Sequence, residues 1–148
     1  MIIKKKIGYT TGVFDLFHIG HLKILKKAYN KCDFLIVGVT ACETVFKYKK
    51  RYPVIPLKER LEIIKALKYV DKVVVQKNMD KFAAWEDLKF DVLFHGNDWK
   101  GSKMYDEIEK KLNSKGVEVE FFEYTKGTST SSLKKYIYEE YKKDSKST

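Results

Sequence analysis

Phe34-Leu-Ile-Val-Gly-Val-Thr40 is the stretch that decides the fold. It is an uninterrupted, uncharged run of strand length, with no polar face to turn to water, as in a strand buried on both faces of its sheet. Upstream, Ile7 to Thr11 reads as a second strand, and His18 to Asn30 as a helix with Leu22, Leu25 and Ala28 on one face. Downstream, Leu57 to Tyr69 has helical spacing and Asp71 leads into the strand Lys72 to Val75. A short helix around Lys81 to Leu88 then precedes the strand Asp91 to Phe94. Met104 to Ser114 reads as a helix closed by Gly116, Val117 to Phe122 as a strand, and Ser129 or Thr130 as the cap of a last helix reaching about Tyr141. Strands alternating with helices predict an α/β fold, a Rossmann-like, doubly wound parallel sheet with right-handed crossovers. The pattern predicts a single domain over residues 1–143 and a frayed tail over 144–148.

Composition narrows the function without deciding it. The chain has 148 residues, enough for one domain with a real core. No apolar run approaches the roughly 18 residues of a membrane span, and Met1 to Lys6 lacks the apolar stretch of a signal peptide. The expectation is therefore cytoplasmic, with no membrane insertion. Cys32 and Cys42 form neither a CxxC pair nor part of a Cys/His cluster and are expected as reduced thiols. The net charge of +10 favours anionic partners, but the lysines are scattered through the chain and most read as solvated helix faces.

A doubly wound sheet binds ligands at the carboxyl ends of its strands, near the point where strand order reverses. Four loops then matter: Thr11 to His18, Thr40 to Pro56, Gly96 to Lys103 and Tyr124 to Thr130. The first continues as Gly12-Val-Phe-Asp-Leu-Phe-His-Ile-Gly-His21, which matches neither the GxxxxGK[ST] loop nor the GxGxxG pattern. It places His18 and His21 in the first turn of a helix, beside its unpaired N–H groups and the positive end of its dipole. That field favours neutral, hydrogen-bond-donating imidazoles. Gly20 removes a side chain between them, so an anion can approach the backbone. The spacing also admits a zinc site, but no third Cys or His lies nearby in the chain, so no metal site is assigned.

These residues resemble the GxFDxxHxGH signature of the cytidylyltransferases, in particular the group acting on glycerol 3-phosphate, phosphocholine and phosphoethanolamine. The resemblance continues in order along almost the whole chain. Pro53-Val-Ile-Pro-Leu-Lys-Glu-Arg60 is similar to the family's Glu-x-Arg helix start, and Lys68-Tyr-Val-Asp71 to its Arg-Tyr-Val-Asp segment. Gly96-Asn-Asp-Trp-Lys-Gly101 is similar to the Gly-Asp-Asp-Trp-x-Gly of the glycerol-3-phosphate branch, and Tyr124-Thr-Lys-Gly-Thr-Ser-Thr130 to Arg-Thr-x-Gly-Ile-Ser-Thr. Lys68 and Tyr124 stand where the family has arginine, and neither reproduces the planar bidentate fork of a guanidinium. Lys126 or Lys103 could supply the charge missing at Tyr124.

The resemblance implies that His18, His21 and Lys50 are catalytic. Thr11, Gly12, Val13, Phe14, Asp15, Gly20, Arg60, Asp98, Thr125, Gly127, Ser129 and Thr130 are implied to hold the nucleotide, with Asp15 positioning its loop. Lys49, Lys50, Arg51, Lys68, Asp71, Asp98 and Trp99 are implied on the acceptor side. The residues themselves allow a second reading for Ser129 and Thr130, as helix caps only. The implied partners are CTP with Mg2+ and a phosphorylated small-molecule acceptor, glycerol 3-phosphate first, in a homodimer with no nucleic acid. A phosphate acceptor needs no general base, so positioning and charge neutralisation carry such a reaction. Three rivals remain: phosphocholine, phosphoethanolamine or another polyol phosphate as acceptor; an adenylyltransferase, since HxGH is shared; and a non-catalytic nucleic-acid-binding domain, suggested by the basic, aromatic stretch Phe46 to Tyr52.

Overall fold

The computed structural model describes residues 4–96, 101–123 and 127–146. Its elements follow in the order β1 (Ile7–Gly12), α1 (Ile19–Asn30), β2 (Phe34–Thr40), α2 (Cys42–Lys49), α3 (Leu57–Lys65), β3 (Lys72–Gln76), α4 (Lys81–Leu88), β4 (Val92–Gly96), α5 (Lys103–Ser114), β5 (Glu118–Phe122) and α6 (Thr130–Lys146). The strands form one parallel sheet in the order β3-β2-β1-β4-β5. The order reverses between β1 and β4, which opens the crevice expected of a doubly wound fold.

Strand β2 is buried as its sequence predicts. Leu35, Val37 and Val39 enter a core with Leu25 and Ala28 of α1 and Ile64 of α3. Ile36 enters a second core with Tyr9, Phe90, Leu93 and Leu112. Each fully buried Leu or Val of this kind contributes about 1.5–3 kcal/mol. Gly38 interrupts the branched residues because a Cβ there would meet the Tyr9 hydroxyl at 2.5 Å.

Two differences from the sequence expectation stand out. The connection from Thr40 to Pro56, read as a loop, contains α2, whose Thr44 and Val45 are buried. The last helix continues through Lys146, so residues 144–146 are helical rather than a frayed tail. No helix among the described residues is long and apolar enough to cross a membrane. Cys32 and Cys42 are half-buried free thiols.

Candidate active site

The site begins with an unusual capping box. His18 is the N-cap of α1, and its Nδ1 accepts from the Gly20 N–H at 3.0 Å. The His21 Nδ1 accepts from the His18 N–H at 3.2 Å. Histidines thus take the places that Ser/Thr and Glu/Gln hold in ordinary boxes. A nitrogen that accepts an N–H carries no proton, so in each neutral ring the proton sits on Nε2. The two rings stack with centroids 3.9 Å apart, and His21 packs against Phe14 and Phe17. Burial, followed by the neighbouring His18, lowers the His21 pKa from 6.5 to about 4, and burial also lowers that of His18. Both rings are therefore neutral Nε2–H donors near pH 7. Gly20 is required here, since a Cβ would lie 2.8 Å from the His18 ring.

Asp15 ties three segments together. Its carboxylate accepts from the Val54 and Ile55 N–H groups at 2.8 and 2.9 Å and from Lys134 Nζ at 3.1 Å. Its carbonyl accepts from the Thr130 hydroxyl at 2.9 Å. Burial alone would raise the Asp15 pKa, but these N–H groups and the lysine outweigh it and hold the carboxyl below its ordinary range. On either side of Asp15, Phe14 and Leu16 have φ values of 54° and 50°, in the left-handed region that non-glycine residues rarely occupy.

These contacts surround a cavity of about 310 Å3 at the carboxyl ends of the strands. Of the residues implied by the sequence, Thr11, Gly12, Val13, Phe14, Asp15 and His21 line it from one side, and Lys49, Arg51 and Thr130 from others. His18 stands beside it, stacked on His21. Lys134, Lys49 and Arg51 give the lining a positive balance, since Asp15 is its one carboxylate among the described residues. Gly127 holds φ at +125°, a conformation suited to glycine.

Other implied residues lie elsewhere. Arg60 is 1% exposed and does not line the cavity. It donates to the carbonyls of Ile55, Val13 and Thr40 at 2.8–2.9 Å and to Cys42 Sγ at 3.3 Å, so it braces the walls from behind. Lys68 and Asp71 lie at the opposite end of the sheet. The Asp71 carboxylate accepts from the Leu35 N–H near the start of β2, and exposed Lys68 sits over the Tyr69 ring. Within one protomer they lie away from the strand carboxyl ends and from the cavity. Lys50 caps α2 in the left-handed conformation, and its neighbours Lys49 and Arg51 line the cavity instead. Ser129 acts as a cap: its hydroxyl accepts from the Ser132 N–H, and the Ser132 hydroxyl from the Ser129 N–H. Asp98, Trp99, Tyr124, Thr125 and Lys126 lie outside the described residues.

Sequence reasoning also missed cavity residues, chiefly Tyr48, Tyr52, Gln76, His95 and Lys134. Two of them carried a signal. Lys134 falls four residues after Thr130, on the same helix face, and His95 is next to the last residue of β4. His95 Nε2 bonds the Tyr105 hydroxyl of α5. Among the described residues, no three His, Cys, Asp or Glu side chains come together to hold a metal.

A buried strand running into a helix whose first turn presents paired donors, beside a cation-rimmed cavity, is suited to a phosphate-bearing ligand. Residues 9–146 match the pattern of the cytidylyltransferase-like family, so the chain belongs to that family and is a nucleotidyltransferase. It is 37% identical over 126 residues to an FAD synthase of Thermococcus sibiricus, spanning 82% of this chain and 85% of the relative. It is 34% identical over 143 residues to the glycerol-3-phosphate cytidylyltransferase of Bacillus subtilis, spanning 91% of this chain and 98% of that enzyme. Among solved structures, a lipopolysaccharide core biosynthesis protein of Thermoplasma volcanium superposes with a TM-score of 0.70 at 28% identity, covering 84% of this chain and 100% of that one.

Proposed function

We propose that this protein transfers CMP from CTP to a small phosphorylated alcohol, glycerol 3-phosphate by preference, with release of pyrophosphate. The observation that carries the reading is the pair of neutral imidazoles at the start of α1, with both Nδ1 atoms engaged by backbone and both Nε2–H groups left to donate. An oxygen of the acceptor phosphate attacks the α-phosphorus and a new P–O bond forms. The bond from the α-phosphorus to the bridging oxygen breaks, and its electron pair departs on pyrophosphate. A phosphomonoester, with a second pKa of about 6, is largely dianionic near neutrality, so no proton has to be removed. The residues therefore act by position and charge.

The roles divide across the cavity. His18 and His21 donate to oxygens of the transferring and departing phosphates. The first turn of α6, through its backbone N–H groups, and Lys134 hold the triphosphate, while the Thr130 hydroxyl ties that turn to Asp15. Lys49 and Arg51, from the β2–β3 connection, hold the acceptor phosphate. Mg2+ bound with the triphosphate would supply charge neutralisation there. Magnesium prefers oxygen ligands, and the one lining carboxylate among the described residues, Asp15, is committed to Val54, Ile55 and Lys134. The described residues thus offer that ion few ligands of their own.

The preference for glycerol 3-phosphate is supported by the match along 98% of the Bacillus enzyme and by the similarity of Gly96-Asn-Asp-Trp-Lys-Gly101 to its branch of the family. The FAD synthase likeness makes ATP with FMN the competing pair. Pyrophosphate release is measured with CTP, ATP, GTP and UTP against glycerol 3-phosphate, phosphocholine, phosphoethanolamine and FMN. Turnover with CTP and glycerol 3-phosphate is expected. Turnover confined to ATP and FMN would replace the reading. The proposal includes a homodimer, supported by exposed Tyr136, Ile137, Tyr138 and Tyr141 on α6 and tested by light scattering.

A further inference from the structure

Gln76 ends β3 and lines the cavity although it is only 5% exposed. Behind it lies Lys81, the first residue of α4, at 1% exposure. The Lys81 ammonium donates to Gln76 Oε1 at 2.8 Å, its one hydrogen bond among the described residues. Burial pushes the lysine pKa down to about 7, against the opposing charge of Asp80. An ammonium taken out of water for a single hydrogen bond is costly to the fold, and a methionine would fill the same space without that cost. Packing does not explain the charge.

Its effect falls on Gln76. In the ammonium form, which predominates below its pKa of about 7, Lys81 has donors and no acceptor, so it fixes the carboxamide with Oε1 inward and Nε2 toward the cavity. There Nε2 lies 3.0 Å from the sulfur of Met79, a weak acceptor, which leaves its second N–H for a ligand. The strand order sets β3 two places from β1, on the side away from β4. Tyr48, Lys49, Arg51 and Tyr52 reach the cavity from this same β2–β3 side. The starts of α1 and α6 come together through Asp15 and Thr130, and they serve the triphosphate. In-line transfer puts the attacking group opposite the leaving one, and Gln76 shares the β2–β3 side with Lys49 and Arg51, which hold the acceptor phosphate in the reading above.

We propose that Lys81 is a positioning residue of the acceptor subsite: it holds the Gln76 carboxamide so that an N–H donates to an oxygen of the phosphorylated acceptor. This rests on the reading given under Proposed function and adds a specificity to it. An N–H donor matches the hydroxyl oxygens of a polyol phosphate and offers nothing to the N-methyl groups of phosphocholine.

The test is steady-state kinetics of the full chain with Gln76→Glu, Lys81→Met, Gln76→Ala and the double variant Gln76→Ala/Lys81→Met. Gln76→Glu keeps a partner for Lys81 but removes the N–H donor. Gln76→Glu and Lys81→Met are each expected to raise the KM of the polyol-phosphate acceptor about tenfold, the scale of one hydrogen bond, with the KM for CTP unchanged. Lys81→Met is expected to add nothing in the Gln76→Ala background, because it acts through that side chain. An unchanged acceptor KM in Gln76→Glu, or full additivity in the double variant, would overturn the inference. If Lys81→Met fails to fold, Gln76→Glu decides alone. A wild-type enzyme that turns over no polyol phosphate removes the proposed function and this inference together; normal wild-type turnover with unchanged KM values removes the inference only.

Discussion

Acidification should weaken the fold through His21 in a way that one substitution can isolate. In the folded protein its pKa is about 4, below the ordinary 6.5 of the unfolded chain, so the unfolded chain takes up the proton first as pH falls. The stability concerned is whole above about pH 6.5 and is lost as pH falls toward about 4. At about 1.4 kcal/mol per pH unit, that gap is worth about 3 kcal/mol in all, of which about 2 kcal/mol is gone by about pH 5. The matching variant is His21→Gln, because glutamine at this helix position also accepts the N-cap N–H but does not titrate. Urea denaturation of both proteins at about pH 7.5 and pH 5 gives the comparison. Groups away from the site, the buried Lys81 among them, act alike in both proteins and cancel in the difference, while the coupling of His18 to His21 is part of what the substitution removes. Asp15 does not intrude, because its pKa is held below 3.8. Wild type is expected to lose about 2 kcal/mol more than the variant. Equal losses would refute the neutral, buried state assigned to His21, and with it the argument that its Nε2–H is a fixed donor.

His18→Ala or His21→Ala is expected to lower kcat on the order of a hundredfold, read by pyrophosphate release beside a thermal melt that confirms folding. Asp15→Asn removes one acceptor for the Val54 and Ile55 N–H groups and the charge facing Lys134. It should cost about 2–4 kcal/mol in urea denaturation and raise the acceptor KM as the 51–55 segment loosens. Lys49→Ala and Arg51→Ala are expected to raise the acceptor KM more than Lys50→Ala does, since the first two line the cavity. Equal effects from all three would mean that the run acts through diffuse charge rather than contact.

The fold was legible because its decisive strand is buried on both faces, and burial writes itself directly into composition. Leu35 to Thr40 are all buried, and the apolar run that announced β2 has the same limits in the structure. Helix α2 escaped because eight residues with two buried side chains, Thr44 and Val45, leave too short a periodicity to separate from a loop. The last helix was cut short for a related reason. None of its residues is fully buried, so no apolar stripe marks where it ends.

Motif spacing fixes chain position, whereas a role depends on where the side chain's donors are spent. His18 and His21 were readable because their chemistry is local: the turn that bears them also supplies their partners. Arg60 sits in an equally recognisable stretch, but its guanidinium is spent on three carbonyls from separate segments, Val13, Thr40 and Ile55. An arginine that reaches a phosphate and one that joins three loops look the same in sequence. The same ambiguity hid Lys81, whose charge reads as solvated until α4 is seen packed with that residue inward. Among the described residues, Arg60 and Lys81 are buried cations, and both are spent on groups that shape the cavity walls. The positive charge that composition suggested for binding anions thus divides in two. Lys49, Arg51 and Lys134 face the cavity, while Arg60 and Lys81 hold in place the backbone and amide groups that set its geometry.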